Sequence, residues 1–191
     1  MAESNDSDTF CYACRVLLRG RLRKALAVTG VLVLAFAAAT ARVLIWPPQG
    51  APARVSAIVM LAGPGDRLPA ALRLAAEHRA PVLVVSRGWM GYGGPCLPPI
   101  SGVTTICFEP DPGDTRGEAE YVGRLAKRYG WTSLLLVAIR PQAARAQLLF
   151  RRCFGGQVYV STAPLPTGSW PYQIAYGWGA LLKAELAVRG C

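Results

Sequence analysis

Histidine is nearly missing from this chain: its 191 residues hold one, His78. Lysine is almost as scarce, standing only at positions 24, 127 and 183, so arginine carries most of the formal net charge of +10. A single His excludes a multi-histidine metal centre. His78 itself ends a helical stretch ahead of PVLVV, on the side away from the strand carboxyl ends, where a surface or capping residue is expected. The arginines come without an interleaved aromatic stripe or zinc-finger spacing, and an Arg- and Ala-rich composition also follows from GC-rich coding, so nucleic acid is not an expected partner. Internal repeats and low-complexity tracts are absent. Gly63-Pro64-Gly65 lacks the third glycine of a dinucleotide fingerprint, which leaves a tight strand-to-helix turn as its plain role. No metal and no cofactor is expected.

What the sequence does have is one long apolar run, ALAVTGVLVLAFAAATARVLIW, residues 25–46, interrupted only by Arg42. At about 1.5 Å per helical residue it can cross a hydrocarbon layer of about 30 Å. Arg42 can snorkel to the far interface, Trp46 suits an interfacial belt, and Pro47-Pro48 stops the helix. Arg15, Arg19, Arg21, Arg23 and Lys24 precede it, so the positive-inside rule places residues 1–24 in the cytoplasm and exports the remainder. The small residues AFAAATA also offer a site for a signal peptidase. The length of the run favours an uncleaved anchor in a single-pass membrane protein.

The cysteines fit that topology. Cys11 and Cys14 fall on the cytoplasmic side, at best half a zinc knuckle with no second pair nearby, so a juxtamembrane thiol pair without function is expected. Cys96, Cys107, Cys153 and Cys191 fall on the exported side, where disulfides persist. Of three possible pairings, Cys96 with Cys107 closes a short loop and Cys153 with Cys191 ties down the C-terminus.

After a Pro/Gly linker at 47–54, apolar runs alternate with helical stretches through residues 55–191. VSAIVMLAG, PVLVVSRG, TTICF, SLLLVAI and QVYVS read as strands. Helices are expected over about 67–79, 114–129, 141–153 and 170–188. Strands this uniformly apolar are covered on both faces, which predicts a three-layer, Rossmann-like α/β sandwich with a mostly parallel sheet. In the last helix Ile174, Leu181 and Leu182 are expected to pack in the core. Trp170, Tyr172 and Trp178 have a second reading, at a membrane surface.

Ligands of such folds sit beyond the strand carboxyl ends. That rule gathers Gly63, Gly65, Asp66 and Arg67 after the first strand, and Ser86, Arg87 and Gly88 after the second. It adds Thr115, Arg116 and Glu118 at one helix start, with Arg140, Gln142 and Arg145 at another. Arginines beside helix N-termini suit a phosphate or carboxylate. Asp114 is a natural N-cap, and Glu118 and Glu120 stand in the first turn, where the helix dipole favours acids. Gly117 needs a separate reason, because glycine weakens a first turn unless backbone or ligand approaches closely. Arg87 and Arg140 also read as plain exposed charges, and Arg145 as a brace for Glu118. Ser86 has no His partner to make it a nucleophile.

The stretches AIVMLAGPGDRLPAALRLA, PVLVVSRG, GDTRGEAEYV and LLLVAIRPQAARAQLLFRRCF, over about residues 55–160, together resemble the YdcF/SanA/ElyC-like domain family. This is a Rossmann-like family of poorly defined function, many of whose members are membrane-anchored and linked to envelope integrity. The resemblance implies a pocket role for Thr115 and Glu118. Members carry a Ser, then a His three residues before an Arg-Ala pair. Here Arg145-Ala146 is kept, while Ile139 stands at the Ser position and Gln142 at the His position. An amide can hold a ligand but cannot transfer protons near neutral pH.

The expected function is an extracytoplasmic domain binding an anionic small molecule or the head group of a lipid-linked envelope precursor. Two alternatives are a phosphoester hydrolase or transferase with Glu118 as base beside an arginine cluster, and a non-catalytic scaffold for cell-wall proteins.

Overall fold

The computed structural model describes residues 6–88, 96, 97 and 100–191, with side chains from residue 20 onward. The chain forms two compact units, Met1–Ala41 and Arg42–Cys191. In the first, helix α1 spans Asp6–Thr40 and so begins within the stretch read as a tail. The segment Gly20–Ile45 is long and apolar enough to cross a membrane. Leu26, Val31, Leu32, Leu34 and Phe36 are all exposed. A helix apolar on every side suits lipid better than water. Thr40 donates its hydroxyl to the Phe36 carbonyl at 2.9 Å, which keeps that polar group satisfied within the helix. A π-helical turn, Ala41–Ile45, ends the run.

The second unit is an α/β domain built on a five-stranded parallel sheet. Its strands are β1 (Ala57–Met60), β2 (Val82–Ser86), β3 (Thr104–Phe108), β4 (Ser133–Ile139) and β5 (Gln157–Ala163), in the order β3-β2-β1-β4-β5. The helices are α2 (Arg67–Ala76), α3 (Thr115–Tyr129), α4 (Arg140–Cys153) and α5 (Trp170–Leu186). Alternate strand residues face opposite sides of a sheet. Ala57, Val59, Leu134 and Leu136 therefore pack with Val122, Ala146 and Phe150 of α3 and α4. Ile58, Met60, Leu83, Leu135 and Val137 pack with Ala71, Leu74 and Ala75 of α2. The result is the expected three-layer sandwich. The sheet order reverses between β1 and β4, so a crevice opens past their carboxyl ends.

Residues 47–54, read as a linker, are tied to this domain. Gly50 bridges to Val160. Thr162 donates its hydroxyl to Gln49 Oε1 at 2.9 Å, and Arg79 donates to the Pro52 carbonyl at 2.9 Å.

Disulfides join Cys96 to Cys107 and Cys153 to Cys191, the two pairings expected. The second, together with Arg152, fastens α5 to α4. Arg152 donates to the Ala184 carbonyl at 2.6 Å and to the Val188 carbonyl, and it pairs with Glu185 at 3.0 Å. One expectation fails in α5: Leu182 is exposed rather than packed in the core, while Ile174 and Leu181 are half-buried. The helix docks through Gly177 and Ala184, which face away from Leu182.

Replacing Cys153 and Cys191 together by serine removes a cross-link over a sequence separation of 38. Denaturant unfolding should then show a loss of about 2–4 kcal/mol.

Candidate functional site

The crevice at the sheet's reversal holds a cavity of about 240 Å³. Its floor comes from the turn after β1. Arg67, the first residue of α2, does not reach out to solvent but folds back under that turn. Its Nε donates to the Pro64 carbonyl at 2.9 Å, and its Nη1 to the carbonyls of Leu61 (3.1 Å) and Ala62. Only 3 % of the residue is exposed. Gly63, at φ +120°, lies directly over the guanidinium, and a Cβ there would stand 2.8 Å from a guanidinium nitrogen. A side chain at Gly63 would displace Arg67.

The start of α3 supplies the opposite wall. Asp114 caps it as expected, its Oδ1 accepting the amides of Arg116 at 2.8 Å and Gly117 at 3.1 Å. Thr115 and Glu118, three residues apart, share the inward face. Glu118 is 2 % exposed, and its Oε1 accepts the Ala62 amide at 2.6 Å. Gly117 is accounted for by backbone and not by a ligand. A Cβ at this position would collide with the Pro112 carbonyl and lie 2.9 Å from the Asp111 carbonyl carbon. Glu120 lies beyond the first turn, where it pairs with Arg116 at 2.7 Å.

The start of α4 closes the remaining side. Gln142, buried, donates to Thr115 Oγ1 at 3.2 Å and so bridges two helix N-termini. Its Oε1 is buried with no partner among the described residues. Arg145 stands one turn past Pro141, with its guanidinium carbon 5.9 Å from the centre of the Tyr176 ring. Among the described residues it makes no close ion pair, although its charge acts on both Arg67 and Glu118.

Burial dominates the electrostatics. Desolvation raises the Glu118 pKa, against the Ala62 amide, the Ser86 hydroxyl and the two arginines, which all favour the carboxylate. The Ser86 hydroxyl lies buried beneath this carboxyl without a well-formed hydrogen bond. Arg67 is lowered to about 10, first by burial and then by Arg145, with Glu118 pulling the other way. Arg67 thus keeps its proton at neutral pH, and Glu118 is the member of the pair whose charge responds to pH.

Of the residues singled out from the sequence, Gly63, Arg67, Thr115, Glu118, Gln142 and Arg145 line this one cavity, and Ser86 lies under it. The others are placed elsewhere. Gly65 is a turn residue at φ +95° packed against Ile139 and the Pro164 carbonyl. Asp66 is exposed and caps nothing with its side chain. Gly88 packs on Pro110 and Ala62, which line the cavity while Gly88 itself does not. Arg87 beside it pairs with Glu109 at 3.2 Å. Arg116 and Arg140 lie off the inward faces of their helices, about 100° per residue away from Thr115 and Pro141. His78 is exposed at the end of α2, as expected.

The sequence reading missed Pro110, Gly113 and the α5 residues Tyr172, Gln173, Tyr176 and Gly177, all of which line the cavity. Tyr172 and Tyr176 stack with centroids 6.0 Å apart. Their four-residue spacing was visible in the sequence, but nothing local to it says which helix they would face.

Two outcomes follow. Gly117→Ala forces the α3 start away from Pro112 and should cost about 1–3 kcal/mol of stability in denaturant titrations. For Glu118, a folded pKa above the ordinary value of 4.5 means that its contribution is fully present below that value and is lost as pH rises through the raised one. Glu118→Gln escapes this loss, so its stability relative to the wild type should climb with pH from about pH 4 upward. Parallel stability curves would contradict the raised value. Compared with known proteins, the chain matches no family model, no curated protein and no solved structure.

Proposed function

We propose that residues 47–191 are the extracytoplasmic part of a membrane-anchored protein, and that the cavity binds an anionic small molecule or the head group of a lipid-linked envelope precursor. One observation carries this reading: Arg67 and Arg145 face the same cavity, while the carboxyl between them is driven by burial toward its neutral form. Asp114 also lines the cavity, but its Oδ1 is committed to two backbone amides. The N-termini of α3 and α4 add their dipoles to the same space. The unpartnered Gln142 Oε1 gives a ligand hydroxyl or amine something to donate to.

Anchoring and orientation rest on the membrane-capable segment, the basic residues before it and the positive-inside rule. The two disulfides are consistent with an oxidising compartment. The resemblance to YdcF/SanA/ElyC-like domains supports an envelope role. Gln142 at that family's His position favours binding over proton-transfer chemistry. A phosphoester hydrolase or transferase is the second reading, favoured by a carboxyl of raised pKa at the cavity wall.

Thermal shift of the full chain in detergent against inorganic phosphate, sugar phosphates and a polyprenyl phosphate tests the proposal. At least one should stabilise the protein, and Arg145→Ala should weaken that ligand about ten- to a hundredfold, the worth of a hydrogen bond to a charged group. Ionisation of Glu118 opposes an anion, so affinity should fall as pH rises. Absence of any shift at millimolar ligand rejects the proposal. Turnover of a phosphate ester that vanishes in Glu118→Gln establishes the second reading instead.

A further inference from the structure

A bare anion leaves part of the cavity lining unused. Gln142 is 9 % exposed and lines the cavity, and its Oε1 is buried with no partner among the described residues. An amide oxygen only accepts, so the group that meets it is a donor. A phosphate monoester, with a second pKa of about 6, is mostly a dianion at neutral pH and offers acceptors. The ligand atom on Gln142 therefore belongs to a hydroxyl or an amine. Arg145 lies three residues further along α4, on the same face and about 5–6 Å away between Cβ atoms. It makes no close ion pair among the described residues. Cation and open acceptor thus stand side by side, spaced for an acid and a donor carried on one small scaffold.

The α5 side of the cavity is aromatic. Tyr172 and Tyr176 line it, stacked at 6.0 Å with ring planes 18° apart, and stay 67 % and 51 % exposed. Close approach of α5 to the start of α4 holds them there: a Cβ on Gly177 would stand 3.1 Å from the Pro141 carbonyl oxygen. Gln173 adds a second amide, with donor and acceptor, to the same lining. Aromatic rings flanked by amides suit a partner that is apolar on its faces and polar at its rim. The cavity, at about 240 Å³, is smaller than the roughly 300–1,000 Å³ of drug-sized sites, which favours a single small ring.

We infer that the ligand is a phosphorylated monosaccharide: its phosphate meets Arg145, a ring hydroxyl donates to Gln142 Oε1, and its C–H face lies against Tyr172 and Tyr176. This identification rests on the anion-binding reading above. It adds the open acceptor and the aromatic pair, and it makes Gln142 and Tyr172 the residues that separate a sugar phosphate from phosphate alone.

Titration calorimetry of the full chain in detergent tests this with inorganic phosphate, cyclohexyl phosphate, uridine monophosphate and the anomeric phosphates of glucose, galactose and mannose. Cyclohexyl phosphate carries the same acid on a six-membered ring without hydroxyls. At least one hexose phosphate should bind about tenfold or more tightly than cyclohexyl phosphate, because the analogue leaves a buried polar atom unpaired. Gln142→Met keeps the length of the side chain, removes the acceptor and should bring that ratio close to one. Tyr172→Ala, at an exposed position, should weaken the hexose phosphates several-fold more than inorganic phosphate. Failure of every hexose phosphate to reach the margin over cyclohexyl phosphate overturns the inference while leaving the anion site standing. So does a ratio that Gln142→Met leaves unchanged, or tighter binding of uridine monophosphate than of any hexose phosphate. Failure of every phosphate compound to bind, inorganic phosphate included, rejects the anion reading and this inference with it.

Discussion

The carboxyl of Glu118, accepting the Ala62 amide at 2.6 Å, is the contact on which the carboxyl-end rim of the sheet depends. It joins the first turn of α3 to the end of β1, within electrostatic reach of Arg67, which folds back beneath the same turn. Arg67 in turn occupies the carbonyls of Leu61, Ala62 and Pro64. A buried amide or carbonyl left without a partner costs about 1–3 kcal/mol, and a buried ion left unpaired costs about 3–5 kcal/mol. Removing Glu118 therefore strands the Ala62 amide, and removing Arg67 strands the carbonyls of Leu61, Ala62 and Pro64.

Such an arrangement is expensive for stability alone, since burying polar and ionisable groups costs free energy that apolar packing does not. The domain has apolar packing in plenty on both faces of its sheet. Its buried polar groups, by contrast, collect at one rim: Arg67, Ser86, Thr115, Glu118 and Gln142 are all there. Gln142 even keeps one oxygen unpartnered among the described residues. Groups held dehydrated at a cavity wall are poised to exchange their partners for a ligand, and the rim is where perturbed titrations concentrate.

Much of this was legible in the chain. Alternation of apolar runs with helical stretches gave five strands and their helices in order, because burial on both faces leaves its mark on every strand residue. Asp114 announced its helix by capping chemistry that acts over three residues. The cavity set Thr115–Glu118 and Gln142–Arg145 followed from helical spacing applied at strand ends. Arg87 and Gly88 satisfied the same rule and still fell outside: Gly88 packs on Pro110 and Arg87 pairs with Glu109. Arg116 and Arg140 were adjacent to inward residues in sequence and lay off their faces in space.

By itself the sequence determined what is written in short-range patterns: the membrane-capable run, the parallel α/β sandwich and the Asp114 cap of α3. Tertiary structure alone decided which side chains meet. Arg67 turns inward only because the β1 turn offers it carbonyls, Glu118 reaches an amide 56 residues away, and α5 brings Tyr172 and Tyr176 to the cavity mouth through Gly177. Local periodicity sets the face on which a residue lies, but the partner of that face depends on packing between distant segments, which no local pattern encodes.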